Sequence, residues 1–254
     1  WWQPYEIPKE GAYDFGEPLF IVASLDTAFK EKEQNDYSAL TVWAVYDDPK
    51  SGNRRIMMID AWKRKLPMHG ERVPRKQDED ERAYMRRASA KWGLVEWVEF
   101  TCSRRRIHTL LIEDSARGHD VNAEIKRLYG GRSWGTELVP VKGEKRVRAS
   151  ATINMFTDEM IYAPGVWRCH LHRRTHCSEP ECKTGGASWE WRDWVAEVIN
   201  ELSAFPHGVH DDYVDSVTMC LNYLRRRGLA IRREERQLIE DDLARFKKPL
   251  QPLY

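Results

Sequence analysis

The sequence predicts an α/β fold, a mixed central β-sheet flanked by helices. Three observations lead there. Short apolar runs at Phe20–Leu25, Thr109–Ile112 and Leu138–Val141 have the continuous hydrophobicity of buried strands. Between and after them lie longer segments with apolar residues at helical spacing. The order is three strands, helix, strand, helix, strand, then helices, which is an α/β order.

Taken in order, residues 1–18 are rich in Trp, Pro and Gly and read as an extended linker or docking arm. Phe20–Asp26 is an apolar run ending in an acid, the pattern of a central strand. Asp36–Tyr46 and Arg55–Trp62 follow as two more strands, and their short connections predict an antiparallel meander. Pro67–Asp80 is a charged loop. Glu81–Phe100 carries Tyr84, Ala88, Trp92, Val95 and Val98 at helical spacing and is expected as one long helix. Thr109–Asp114 repeats the pattern of an apolar run ending in acids. A turn and helix run from Gly118 to Tyr129, then a strand at Leu138–Val141, a helix over Arg146–Glu159 and a strand at Met160–Ala163. Trp189–Ala204 and Val209–Arg226 are expected helices, and 229–254 a polar, partly helical tail.

Bulk composition narrows the class. With 254 residues the chain has ample length for a hydrophobic core. It begins at Trp1 without an initiator Met and reads as an excised piece of a longer protein. Net charge is +1 from 41 basic and 40 acidic residues, so nucleic-acid binding would rest on local patches. No apolar run approaches the ~20 residues of a membrane span, and no signal peptide is visible. Five Cys without a secretory signal point to a reducing compartment rather than a disulfide framework.

The chemistry concentrates in three acidic clusters: Asp26, Glu113/Asp114 and Asp211/Asp212/Asp215. Asp215 shares a helical face with Asp211 or Asp212. Like charges so placed repel by about 4 kcal/mol per pair at ~4 Å and an effective dielectric near 20. A shared proton or a bound cation relieves that repulsion. Neighbouring strand ends lie about 5 Å apart, so acids ending two strands can converge with acids opening a helix. Hard cations such as Mg²⁺ and Mn²⁺ prefer carboxylate oxygen. Two of them ~3.5–4 Å apart can drive phosphodiester hydrolysis.

Four motifs carry a resemblance. Ser24-Leu25-Asp26-Thr27-Ala28, Asn35-Asp36-Tyr37-Ser38-Ala39, Ile112-Glu113-Asp114-Ser115-Ala116-Arg117-Gly118 and Phe205-Pro206-His207-Gly208-Val209-His210-Asp211-Asp212-Tyr213-Val214-Asp215 resemble the C-terminal nuclease domain of the large terminase subunit of tailed bacteriophages. The resemblance covers about residues 20–225. It implies an RNase H-like fold over 19–228 and a Mg²⁺- or Mn²⁺-dependent endonuclease (two ions) that cuts concatemeric viral DNA at packaging. It further implies double-stranded DNA as substrate and a packaging ATPase domain in the same protein. The small terminase subunit and the portal would be partners, and the host cytoplasm the location. No phosphate-binding loop motif occurs here. Asp26 matches the first metal ligand. Alignment on Gly118 makes Glu113 the second, and alignment on Ser115-Ala116 makes it Asp114; alternate strand residues face opposite ways, so only one of them reaches the metals unless the strand has already ended, and the reading leans to Glu113. Asp212 and Asp215 are the last ligands, with Asp211 behind them. Asp36 orients a water or ligand, or caps the hairpin.

Lys142, Lys145, Arg146 and Arg148 form a basic cluster that reads as a DNA-phosphate contact or a solvated helix start. Arg104–Arg106 reads as a solvated loop in preference to a DNA patch, and His210 as a surface or proton-transfer residue. A departure from the family pattern is the Cys/His-rich insertion at about 168–188, which reads either as a structural Zn²⁺ site of Cys169, His172, Cys177 and Cys182, though the spacing fits no standard finger, or as a polar surface loop with reduced thiols. Two other readings compete: a junction resolvase or other nuclease of the same fold, and a non-catalytic DNA-binding or docking module.

Overall fold

The computed structural model describes residues 1–7, 16–27, 37–48, 52–71, 73–171 and 186–246. Its strands are β1 (Gln3–Glu6), β2 (Phe20–Asp26), β3 (Ser38–Asp47), β4 (Arg54–Arg64), β5 (Thr109–Glu113), β6 (Gly135–Val139), β7 (Ile161–Cys169) and β8 (Ala187–Trp191). Its helices are α1 (Glu81–Ser89), α2 (Leu94–Arg104), α3 (Ala116–Tyr129), α4 (Lys145–Ser150), α5 (Ile153–Thr157), α6 (Asp193–Ala204), α7 (Asp212–Arg226) and α8 (Arg233–Phe246). None of the described helices is long and apolar enough to cross a membrane.

The strands form one mixed sheet in the order β1-β7-β4-β3-β2-β5-β6, with β8 paired to β7. β2, β3 and β4 are the expected antiparallel meander. β5 then pairs parallel to β2, and β6 parallel to β5. This order, with helices on both faces, is α/β and compatible with an RNase H-like fold.

Strand alternation sorts the core into two layers. Val22, Trp43, Val45, Met58 and Leu111 join one cluster with Tyr213, Val217, Leu221 and Leu224 of α7. Ala23, Leu25, Leu110 and Ile112 join the other, with Leu94, Val95 and Val98 of α2 and Val121 and Ile125 of α3. A strand buried on both faces loses the polar alternation of a half-exposed strand, which explains why β2 and β5 read as continuous apolar runs.

Four expectations need correction. Gln3–Glu6, read as part of a docking arm, is a strand parallel to β7. The helix expected over Glu81–Phe100 is two helices, α1 and α2. They separate at Gly93, where an added Cβ would lie 2.4 Å from the His69 carbonyl carbon. Only a glycine lets the two segments cross so closely. The Glu96 carboxylate secures the crossing by accepting from the N–H groups of Gly93 (2.9 Å) and Gly70 (3.0 Å). The helix expected over Arg146–Glu159 is likewise two short ones, α4 and α5. Ala187–Trp191, whose end was read as the start of a helix, is instead β8, antiparallel to β7. Its aromatic Trp189 and Trp191 pack edge-to-face, and Trp189 meets Trp167 across the pair.

Candidate functional site

The acids reach the site because two strands end side by side. Leu25 pairs with Ile112 in the parallel β2–β5 ladder, so Asp26 and Glu113 are the next neighbours along it. Both lie on the face covered by α7. Gly118 makes the turn after β5 possible: a Cβ there would sit 1.9 Å from the Glu113 carbonyl oxygen. Ser115 caps the helix that follows by accepting from the Gly118 N–H at 3.1 Å.

A buried relay of hydroxyls fixes α7 over these strand ends. Ser216 Oγ donates to the Ser24 carbonyl at 2.8 Å. Its single proton is thereby used, so Thr41 Oγ1 donates to Ser216 Oγ (2.8 Å) and itself accepts from Trp43 Nε1 (2.9 Å). The first turn of α7 has a second anchor. Glu201 of α6, buried on an otherwise apolar face, accepts from the Tyr213 N–H at 2.5 Å. It also pairs with Lys63 at the end of β4. The orphan N–H groups of a helix start welcome such a carboxylate.

These constraints bring Asp26, Glu113 and Asp215 to one cleft of about 360 Å³. Val139, Pro140, Val141 and Met219 supply its apolar wall, and Lys142, Arg148 and Arg226 its cationic rim. Asp26 is enclosed by protein except toward the cleft. Burial, followed by the negative charges of Asp215, Glu113 and Asp212, raises its pKa well above the usual aspartate value, against the pull of Lys145. Burial and then Asp215 raise Glu113 as well, opposed by Arg148, by a hydrogen bond with Asp26 and by Lys145. The hydrogen bond between the two carboxyl groups needs a proton on one of them. Asp212, on the same turn, is raised mainly by burial and held back by Lys63, 3.7 Å away.

The basic residues divide between roles. Lys145 Nζ pairs with Asp211 and, at 2.5 Å, with Asp215. Arg148, one turn later, donates to the other Asp215 oxygen at 2.8 Å. α7 in turn grips the end of α4: Asn222 Nδ2 donates to the Arg148 carbonyl (3.1 Å) and Arg225 to the Ala151 carbonyl (2.9 Å). Lys142 lines the cleft with no carboxylate partner among the described residues, whereas Arg146 lines a different cavity beside Trp1 and Trp2.

Some sequence candidates lie elsewhere. Asp114 points away from the cleft and pairs with His119 at 2.7 Å, as strand alternation requires once Glu113 faces in. Asp212 does not line the cleft; it faces Lys63, with His210 Nδ1 3.9 Å off. His210 rests its ring edge against Tyr37. Arg104 and Arg105 pair with Asp60, far from a free basic patch. Cys169 is buried at the end of β7. His172, Cys177, Cys182 and Asp36 lie outside the described residues. Sequence reasoning missed Glu201, Lys63 and Ser216; an acid on the apolar face of α6 was the one available signal, since the partners of the other two are set by tertiary packing.

Among the described residues, no three His, Cys, Asp or Glu side chains close up as a ready-made metal cage. The donor chemistry nonetheless fits a hard divalent cation. The cleft acids offer only oxygen, the charge of Asp215 raises the pKa of both Asp26 and Glu113, and Asp215 is already held by ammonium and guanidinium groups.

Fold and site therefore define an α/β protein with an acid-floored, cation-rimmed cleft at the C-terminal ends of two parallel strands. The chain matches no known protein-family model and no curated protein.

Proposed function

We propose that this chain is a divalent-metal-dependent endodeoxyribonuclease, the DNA-cutting domain of a viral genome-packaging terminase with an RNase H-like fold. The observation that carries the reading is the meeting of Asp26, Glu113 and Asp215 in a single cleft under Lys142 and Arg148. Acids from positions 26, 113 and 215 share one floor, and a bound divalent cation would relieve the repulsion among them. The sequence resemblance supplies the substrate class, double-stranded DNA, and the setting in the host cytoplasm beside a packaging ATPase.

On this reading Asp26, Glu113 and Asp215 would hold Mg²⁺ or Mn²⁺, whereas Asp212 faces Lys63 outside the cleft. Held there, the ions would supply a water of lowered pKa and neutralise charge building on the phosphodiester. The protein's own groups do the rest. Lys142 and Arg148 bind the phosphate oxygens and orient the strand across the cleft. Val139, Pro140, Val141 and Met219 exclude bulk water from one side, which strengthens every charge interaction inside.

The test is nicking of supercoiled plasmid in Mn²⁺. Wild type is expected to nick and then linearise the plasmid, whereas Asp26→Asn and Glu113→Gln leave it supercoiled, each mutant melting as a folded protein. Cutting by both mutants at the wild-type rate would reject the assignment. A duplex gel shift that survives with no cutting by wild type in Mn²⁺ or Mg²⁺ would favour the non-catalytic docking module instead.

A further inference from the structure

We propose that Lys145 is an exchangeable cation of this site: in the free protein it neutralises Asp211 and Asp215, and a divalent ion and a DNA phosphate together displace it. The inference rests on the metal-dependent nuclease reading and adds a restraint on it.

Asp215 is the one acid of α7 that lines the cleft with Asp26 and Glu113. Both of its carboxylate oxygens are engaged, Oδ2 by Lys145 and Oδ1 by Arg148. Lys145 reaches across to Asp211 as well, so a single ammonium bridges two acids, as a metal ion would. A divalent ion approaching the cleft thus meets Asp215 already neutralised and must compete with a resident cation for it. This competition explains why acids from three elements meet at one place without closing into a cage.

The two cations of α4 differ in how readily they can leave. Arg148 is fixed from behind: it also donates to the Gly143 carbonyl at 2.8 Å, and its own carbonyl is held by Asn222. Lys145 sits in the first turn of α4, partly open to solvent, and among the described residues its ion pairs are with Asp211 and Asp215. A lysine is a compact charge on a flexible four-carbon stem, able to turn from a carboxylate to a phosphate without moving the backbone. Lys142, without a carboxylate partner, lines the same cleft three residues earlier. A phosphate drawn to Lys142 offers Lys145 a new anionic partner and releases Asp215 to the metal. Metal and DNA then bind with positive coupling, each favouring the other by the same factor. The device keeps the cutting centre poorly loaded until DNA lies in the cleft.

The test reads metal affinity, not cleavage. Mn²⁺ binding to the free protein is titrated calorimetrically for wild type, Lys145→Met, Lys145→Gln, Lys145→Arg and Asp26→Asn, after thermal melts show each to be folded. Removing one positive charge a few ångströms from a divalent ion is expected to tighten Mn²⁺ binding roughly tenfold in Lys145→Met or Lys145→Gln. Lys145→Arg, which keeps the charge, should stay within about twofold of wild type. A short duplex titrated in Ca²⁺ should tighten Ca²⁺ binding to wild type and lose that effect in Lys145→Met. Unchanged or weaker Mn²⁺ affinity in both neutral variants, with Asp26→Asn abolishing binding, would overturn the exchange while the metal site itself stood. Wild type that takes up no Mn²⁺ at an Asp26-dependent site would remove both readings together.

Discussion

Ser216 Oγ donates to the carbonyl of Ser24 across 2.8 Å, joining the helix that carries Asp212 and Asp215 to the strand that carries Asp26. Two residues before the strand's last acid and one after the helix's last, this bond sets the separation of the acids. Its donor is in turn fed by Thr41 and Trp43, all four residues being buried. Ser216→Ala leaves the Ser24 carbonyl and the Thr41 hydroxyl without that partner. It is expected to cost about 1–3 kcal/mol, seen as a lower midpoint in urea unfolding. Mn²⁺-dependent nicking should fall with it, since Asp215 loses its register on Asp26. An unchanged midpoint would show that the relay does not hold α7.

Removing charge from the floor of the cleft should stabilise the metal-free protein. The pKa of Asp26 is raised in the fold above the ordinary 3.8. Between those two values the folded state binds more protons than the unfolded chain, so stability falls as pH rises through that window and the penalty is complete above the folded pKa. Asp26→Asn removes the penalty while its amide can still donate to Glu113. In a chelator at neutral pH the variant is expected to melt higher by roughly 2–4 °C for each kcal/mol regained. The gap should close as pH drops toward the ordinary aspartate value. A variant that melts below wild type across this range would contradict the assigned crowding.

Adjacent residues 113 and 114 should behave oppositely. Glu113→Gln is expected to abolish Mn²⁺-dependent nicking, whereas Asp114→Asn, whose partner is the exposed His119, should retain wild-type cutting within about threefold. Equal loss in both variants would mean that the strand ends before Glu113 and presents both acids.

Glu201 should matter more for folding than any other acid near α7. Glu201→Ala removes the acceptor of the Tyr213 N–H and leaves the Lys63 ammonium half-buried with Asp212 at 3.7 Å as its remaining acid. Breaking such a pair costs about 3–5 kcal/mol. Glu201→Gln, which can still accept from Tyr213, should recover part of this. Urea midpoints of the two variants measure the difference, and equal midpoints would show that the cap contributes nothing.

Gly118→Ala tests the turn after β5. Its Cβ would collide with the Glu113 carbonyl at 1.9 Å, a backbone atom that cannot give way without moving the strand end. The expected cost is about 1–3 kcal/mol, with nicking reduced further than stability because Glu113 is displaced. A variant as active as wild type would place the metal ligand elsewhere.

The central meander and the acids at the ends of β2 and β5 were legible in the sequence. Uninterrupted burial on both faces leaves a strong local signature, and an acid ending such a run stands out. Strand alternation implied that only one of Glu113 and Asp114 faces the other acids, and Glu113 is the one that lines the cleft. What remained hidden depends on contacts distant in sequence. The break at Gly93 reflects a crossing with Gly70, and nothing near residue 93 announces it. β1 and β8 are short edge strands whose pairing to β7 overrides weak local preference. The engagement of Lys145 and Arg148 with Asp215 joins positions some 70 residues apart, and a basic cluster in a sequence does not say which acids it meets.

The most direct measurement is the anomalous scattering of crystals soaked in Mn²⁺. The account predicts a peak in the cleft within coordination distance of Asp26, Glu113 and Asp215, with the Lys145 ammonium turned away from Asp215. Crystals with Mn²⁺ bound only elsewhere, or with none while Lys145 still bridges Asp211 and Asp215 at saturating metal, would contradict it.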